Sequence, residues 1–484
     1  MSRQWSEYQQ NIFSFIEDES AGNAIVEAVA GSGKSTTIVE GMNRLPEGCS
    51  AIFLAFNKSI ADELKARGVN ARTFHSLTYS PVTRHKNVRS VETDKLRKLV
   101  KENMSGNDEL LYGSFAQRMV SLARQSGVGC LLADSEAVWN SIADYHDIEL
   151  ENEEADYARG IELSRDLLSW SNASNMIDFD DMLYLPVKDG LSLPKFDFVF
   201  VDEAQDTNAI QRALLRKILK PRSRIVAVGD PAQAIYGFRG ADSNSLDLIA
   251  KEFNCKRLPL TVSYRCPTSV VEYAKQWVSH IEAAPAAPEG KITDHMQQWT
   301  HTLFQPNDLI VCRTTKPLIS LGYRLLKNRV PARIMGREIG QGLKSLISKL
   351  NAKGIDQLIV KLDAWKLREC EKAIAKQNDA KEQAVCDKAE AVQCLIDGLP
   401  ETNRTIPALL RVIDDLFSEG TNVVTLATIH KAKGLEADRV FWLNRSQCPS
   451  KWARQPWQKQ QEMNLCYVAA TRAKEELHLL EEQK

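Results

Sequence analysis

Residues 25–37, IVEAVAGSGKSTT, constrain the fold more than any other stretch of the chain. A run of apolar residues turns at Gly31-Ser32-Gly33 and enters a helix at Lys34-Ser35-Thr36, the pattern of a strand feeding a phosphate-binding loop. Glycines let backbone N–H groups close around a polyphosphate, and the helix start adds its positive dipole end. Ala30, Gly31, Ser32, Gly33, Lys34, Ser35 and Thr36 are therefore candidate phosphate-binding residues. Lys34 would supply a point charge to the β- and γ-phosphates, and Ser35 a hydroxyl ligand for Mg²⁺. The usual spacing places a glycine where this chain has Ala28.

A second stretch, FDFVFVDEAQD at 196–206, drives an apolar strand to its end, where Asp202 and Glu203 emerge side by side. Buried acids are costly unless paired with a metal or a reactant. Asp202 fits as a metal-holding residue, directly or through water, and Glu203 as the base that positions an attacking water. With Lys34 this pair reads as a P-loop nucleoside triphosphatase. Gln233 follows the end of another strand, SRIVAVGD, where an amide can sense a γ-phosphate.

Between these landmarks the chain alternates short apolar strands with helical periodicity, as a parallel α/β sheet requires. SAIFLAFNKSIADEL reads as a strand over Ala51 to Ala55 and a helix opening near Asn57, and NARTFHSL as a strand ending in Thr73-Phe74-His75-Ser76. Phe56, Asn57 and His75 thus fall at strand ends, either as ordinary loop residues or facing a ligand. Gln9 lies on a helix with Trp5, Tyr8 and Ile12; its amide either packs there or pairs with an adenine edge. In PAQAIYGFRGAD, Tyr236, Phe238 and Arg239 form either a base-stacking platform or a plug for the loop.

From about Ser80 to Ser174 the pattern is helical and polar, an inserted helical subdomain. Tyr264 and Arg265 fall in a turn ahead of Pro267, and PNDLIVCRT, RLLKNRVPARIMG and NVVTLATIHKAKGLEADRVFWLN announce a second parallel sheet. Residues 341–418 are helical again, with Leu358, Leu362 and Trp365, and then Val385, Ala389 and Val392, at helical spacing on either side of a break at QNDAKEQ. A hairpin packing on itself is the reading favoured there over direct contact with DNA. QEMNLCYVAATRAKEELHLL predicts a helix carrying Arg472 and Lys474, then a last strand. An arginine at a domain junction in such an ATPase is a candidate finger that neutralises transition-state charge.

A net charge of −1 excludes whole-molecule attraction to nucleic acid, so any phosphate-backbone binding must come from a local basic face. No apolar run is long enough to span a membrane, and MSRQWSEYQQ lacks a signal-peptide pattern. The 10 cysteines show no CxxC spacing, which predicts reduced thiols rather than zinc or disulfides.

The ordered set AGSGKST, AFNKSIADEL, TFHSL, VDEAQD, VGDPAQAIYGFRGA, SYR, TIHKAKGLE and YVAATRA resembles the successive motifs of superfamily 1A helicases, the UvrD/Rep/PcrA group, from Trp5 to Lys474. AFNKSI and GFRGA are nearer to phage-type and F-box DNA helicase members. The resemblance implies an α/β fold of two RecA-like parallel-sheet motor domains, each with a helical insertion. Its boundaries are motor 1A at 1–80 and 175–258, insertion 1B at 81–174, motor 2A at 259–340 and 419–484, and a short insertion 2B at 341–418. It implies that ATP is the substrate and Mg²⁺ the cofactor, that Gln9 reads adenine, that Tyr264 stacks on the base, and that Glu436 binds the sugar. Arg265 and Arg472 become two fingers, and Phe56, Asn57, His75, Tyr236, Phe238, Arg239, Thr428 and His430 line a single-strand track.

The activity implied is ATP-dependent 3′ to 5′ translocation on single-stranded DNA with separation of tailed duplex DNA. The alternative is a translocase that displaces bound proteins with little unwinding. The expected protein is a monomer in the cytoplasm of a bacterial or phage-infected cell, associated with the nucleoid, with no membrane partner and no fused nuclease tail. Three residues depart from the group: Thr37 replaces an arginine, Phe238 a tryptophan, and Asn464 an arginine.

Overall fold

Apolar side chains pointing to both sides of six strands give the first half of the chain a sheet with two apolar faces. The computed structural model describes residues 4–150, 155–237, 240–242, 244–295, 299–375, 379–418 and 420–481, and divides into two units. The first is Met1–Val29 with Gly33–Thr261; the second is Ala30–Ser32 with Val262–Lys484.

The first unit holds β1 (Ala24–Ala28), β2 (Ala51–Ala55), β3 (Ala71–Thr73), β4 (Phe196–Val201), β5 (Leu219–Gly229) and β6 (Lys256–Leu260). All pair in parallel in the order β3-β2-β4-β5-β1-β6. Successive side chains of a strand point to opposite faces, and the packing follows that rule. Ile25, Ile52, Leu54, Val199, Val201 and Ile225 belong to one core. Val26, Phe53, Ala55, Phe200, Val226 and Val228 belong to the other. Burial on both faces explains why these strands read as unbroken apolar runs.

The second face is covered by the helices Glu7–Glu17, Lys34–Asn43 and Lys58–Ala66, through Ile12, Ile16, Ile38, Ala61 and Leu64. The first face continues into a helical block that includes Gly106–Ser126, Glu136–His146 and Tyr157–Ala173. Within it Arg124 and Lys95 are fully buried against Asp178 and Asp181, with Arg124–Asp178 at 2.9 Å and Lys95–Asp181 at 2.6 Å. Such a cluster is retained only when each charge is answered.

The second unit begins with the short parallel pair β7 (Val262–Ser263) and β8 (Glu282–Ala283). Its main sheet comprises β9 (Lys291–Asp294), β10 (Leu309–Cys312), β11 (Ala332–Ile334), β12 (Val424–Thr428), β13 (Ala437–Leu443) and β14 (Ala473–Leu480), in the parallel order β11-β12-β10-β13-β14-β9. Between β11 and β12 run the helices Arg337–Leu350, Ile355–Ala375, Asp379–Gly398 and Ile406–Leu416. Leu358, Leu362, Ala389 and Val392 join the core beside Ile310, Leu426 and Phe441, and Trp365 packs against it. The expected hairpin is thus present, and part of its QNDAKEQ break lies outside the described residues. None of the ten cysteines is in a disulfide, and no described helix is long and apolar enough to cross a membrane.

Two expectations need correction. The strand expected to reach Ser76 stops at Thr73, because Thr73 and Ser76 form a reciprocal capping box that starts the helix Phe74–Lys86. The helix expected to carry Arg472 and Lys474 ends at Ala470. Thr471 caps it, Arg472 lies in the turn, and Lys474 is on β14.

Candidate nucleotide and nucleic-acid site

In a parallel sheet the loops at the carboxyl ends of the strands form the ligand-binding edge. Along that edge of the first unit come His75 after β3, Phe56 and Asn57 after β2, Asp202 and Glu203 after β4, and Asp230 and Gln233 after β5. The phosphate loop follows β1.

Gly31 and Gly33 both adopt left-handed backbone, φ +71° and +78°, so the turn requires residues without a Cβ penalty. The helix Lys34–Asn43 starts at Gly33 with no side-chain cap, leaving its first N–H groups for an anion. Ser32 Oγ is buried without a hydrogen-bond partner among the described residues. Ser35 Oγ donates to Asp202 Oδ2 at 3.0 Å. These donors are hard oxygens of the kind Mg²⁺ selects, so the residues present fit that ion. Burial, with Glu203 alongside, pushes the Asp202 carboxyl up to about 6, against the pull of Lys34 and Ser35.

Glu203 takes a left-handed conformation, φ +50°, unusual for a residue with a Cβ. Its carboxylate accepts a short hydrogen bond from Gln205 Nε2. Gln205 Oε1 in turn accepts from the Asp230 N–H at 3.0 Å, and Asp230 Oδ2 accepts from Gln233 Nε2 at 2.6 Å. Burial pushes the Asp230 carboxyl up despite Lys34 and Gln233. The structure therefore brings Ser35, Asp202, Glu203 and Gln233 into one network through two residues that sequence reasoning passed over, Gln205 and Asp230. Asp230 carried a signal: like Asp202, it is an acid at the end of an apolar strand.

Gln9 is buried on the first helix, completes a capping box with Ser6, and donates to Thr37 Oγ1 at 2.9 Å. Thr36 lies in the first turn of the helix after the loop. Phe56 is 41% exposed and stacks on Tyr236, centroids 5.8 Å apart and planes 7° from parallel. Asn57 caps the following helix, accepting from the Ile60 N–H at 2.9 Å. His75 meets Phe179 edge-on at 6.0 Å, and burial lowers its pKa. Phe179, 53% exposed at a helix start, was not singled out in the sequence, where nothing local marks it. Phe238 and Arg239 lie outside the described residues.

In the second unit Arg265 Nε donates to Glu436 Oε2 at 2.6 Å, and Lys474 pairs with the other oxygen of Glu436 at 3.0 Å. Burial would raise the Glu436 carboxyl, but these two cations outweigh it and hold it below the usual range. A Cβ placed on Gly31 would come 2.5 Å from Arg265 Cβ, so glycine permits that approach. The Tyr467 hydroxyl accepts from the Ala30 N–H at 2.9 Å, and the Tyr264 N–H donates to Gly31 O at 2.9 Å. Tyr264 leaves its ring 48% exposed. Arg472 is buried and donates to the carbonyls of Val468 at 3.0 Å and Leu435 at 3.3 Å. Thr428 caps the short helix Ile429–Ala432 that carries His430.

A loop of the phosphate-binding pattern, a buried acid hydrogen-bonded to the helix that follows it and an adjoining carboxylate thus lie together on one edge of a parallel sheet. The chain belongs to the UvrD/Rep helicase family: the profile of the UvrD/REP helicase N-terminal domain matches residues 8–254, and that of the UvrD-like helicase C-terminal domain residues 347–484. Among its relatives is F-box DNA helicase protein 1 of Schizosaccharomyces pombe, 30% identical over 309 residues, 59% of this chain and 34% of that protein. The ATP-dependent DNA helicase Rep of Escherichia coli K12 is 28% identical over 305 residues, 55% of this chain and 42% of Rep. Rep of Buchnera aphidicola subsp. Baizongia pistaciae is 26% identical over 304 residues, 57% of this chain and 43% of that protein. The matched stretch spans less than half the length of each of these relatives.

Proposed function

We propose that this protein is an ATP-dependent DNA helicase that moves 3′ to 5′ on single-stranded DNA and separates duplex ahead of it. The observation that carries the reading is Ser35 hydrogen-bonded to Asp202 with Glu203 next in the chain. Names among its relatives, Rep and F-box DNA helicase, support DNA as the substrate.

Gly31, Ser32 and Gly33 would hold the phosphates through backbone N–H groups, and Lys34 would balance their charge. Ser35 and Asp202 would hold Mg²⁺, which when bound neutralises charge on the β- and γ-phosphate oxygens. Glu203, oriented by Gln205, would take a proton from the attacking water. Arg265 and Arg472 would supply positive charge at the transferred phosphoryl group, and Gln9 and Tyr264 would recognise the base. Nucleotide binding and loss would shift the chain between states that grip a strand differently. Phe56, Tyr236, Phe238 and His75 would form that grip by stacking on bases. Each duplex step costs about 1.4 kcal/mol to open.

The experiment is phosphate release with and without single-stranded DNA. Stimulation by DNA that is lost in Lys34→Ala supports the reading. A rate indifferent to DNA contradicts it.

A further inference from the structure

The helix Ile355–Ala375 has a buried side and a bare side. Ile355, Leu358 and Leu362 are buried in the core of the second unit. On the other side Val360, Leu367 and Ile374 are 67%, 62% and 57% exposed. A single exposed aliphatic is ordinary on a protein surface. Three at intervals of seven are not, because they drift only about 20° per step and so form one line along the helix. At 1.5 Å per residue the line is about 21 Å long. This is the seam geometry of paired helices rather than the broader stripe of a helix lying on a core. Ala364, exposed beside the seam, would let a second backbone approach.

Charge decides what could cover the seam. Asp356 and Asp363 stand four residues before Val360 and Leu367, and Glu371 four after Leu367, so all three border the line. Each is exposed, and none forms an ion pair among the described residues. The cations of the same helix are engaged. Lys361 donates to the carbonyls of Leu350 at 2.9 Å and Asn351 at 2.8 Å. Lys366 pairs with Glu390 at 3.0 Å, while Arg368 and Lys372 reach Glu369 at 3.4 and 3.3 Å. Uncompensated carboxylates along an apolar line repel a phosphate backbone and repel the same acids on a second copy. They favour a cationic neighbour.

We propose that Val360, Leu367 and Ile374 form a docking seam for a basic amphipathic helix of a partner protein, one with an apolar residue at every seventh position and Lys or Arg on both flanks. The partner helix packs its apolar residues between those of the seam, and its cations meet Asp356, Asp363 and Glu371. None of the residues proposed for nucleotide or DNA lies on this helix.

The test uses the full chain and a fluorescent synthetic helix of about three heptads with leucine at each seventh position and lysine flanks. A second peptide carries glutamate in place of lysine. Binding is read by anisotropy at low and high salt, alongside sedimentation of the protein alone. The lysine peptide is expected to bind at least tenfold tighter than the glutamate peptide, with the gap narrowing in salt. Leu367→Ser is expected to weaken it at least tenfold, and Asp363→Lys with Glu371→Lys to reverse the preference, with circular dichroism and DNA-stimulated ATPase unchanged. Equal binding of the two peptides, absence of saturable binding, or indifference to Leu367→Ser overturns the proposal. So does a self-associated protein that Leu367→Ser dissociates, which would make a second copy the occupant.

Discussion

Ser35 Oγ, on the first turn after the phosphate loop, donates to Oδ2 of Asp202 at 3.0 Å across 167 residues of sequence. The contact joins the two residues proposed to hold Mg²⁺. It also places a carboxyl in a pocket where burial favours its protonated form.

That burial predicts a pH dependence. A carboxyl whose folded value, about 6, lies above the ordinary aspartate value holds its proton more tightly in the folded chain. Its contribution to stability is therefore present below the unfolded value and lost as pH rises through about 6. Asp202→Asn should stabilise the nucleotide-free protein at pH 7.5 by roughly 1–3 kcal/mol in denaturant unfolding, while Mg²⁺-dependent turnover falls below detection. In the unsubstituted protein, affinity for Mg²⁺ with a non-hydrolysable ATP analogue should weaken as pH falls through about 6, because the metal needs the ionised carboxylate.

Glu203 owes its orientation to Gln205, which is also held by the Asp230 N–H. Glu203→Gln should lower turnover by roughly 10²–10⁴-fold with nucleotide and single-strand binding retained. Gln205→Ala should lower turnover less, on the order of tenfold, with unchanged ATP affinity, since it acts through Glu203. Single-turnover hydrolysis beside equilibrium binding separates the two effects.

Gly229 ends β5 directly beneath Gln205, whose amide oxygen and backbone N occupy the space a Cβ would need. Gly229→Ala should reproduce the turnover defect of Gln205→Ala and cost about 1–3 kcal/mol in stability. Unfolding and steady-state ATPase measured on the same preparation check both.

The stacked pair Phe56 and Tyr236 should contribute to strand binding rather than to nucleotide binding. Alanine at either position is expected to weaken single-stranded DNA binding by roughly 1–3 kcal/mol. The double substitution should cost less than the sum, because each ring supports the other. ATP affinity without DNA should not change. Fluorescence titrations with an oligonucleotide and with a nucleotide analogue provide the readout.

Much of this was legible because the decisive features are local. The turn at Gly31 and Gly33, the helix start at Lys34, and the acids that end β4 are written in consecutive residues. Strand order was not legible, since placing β5 between β4 and β1 depends on long-range pairing that no short window contains. The reading also overran Thr73, where a four-residue capping box outweighed the apolar Phe74. Gln205 and Phe179 escaped for a different reason: an amide beside an acid and an aromatic beside aspartates look like ordinary loop and helix until their partners, Asp230 and His75, are brought in by the fold. In the helix Ile355–Ala375 the core spacing of Leu358, Leu362 and Trp365 overlies a second one, Val360, Leu367 and Ile374, and which of the two faces the core is decided by the fold.

The measurement that bears most directly on the account is unwinding of two matched duplexes, one with a 3′ single-stranded tail and one with a 5′ tail, in ATP and Mg²⁺. Strand separation is expected on the 3′-tailed substrate alone, abolished by Lys34→Ala. Separation of neither duplex, or of the 5′-tailed duplex alone, would contradict it.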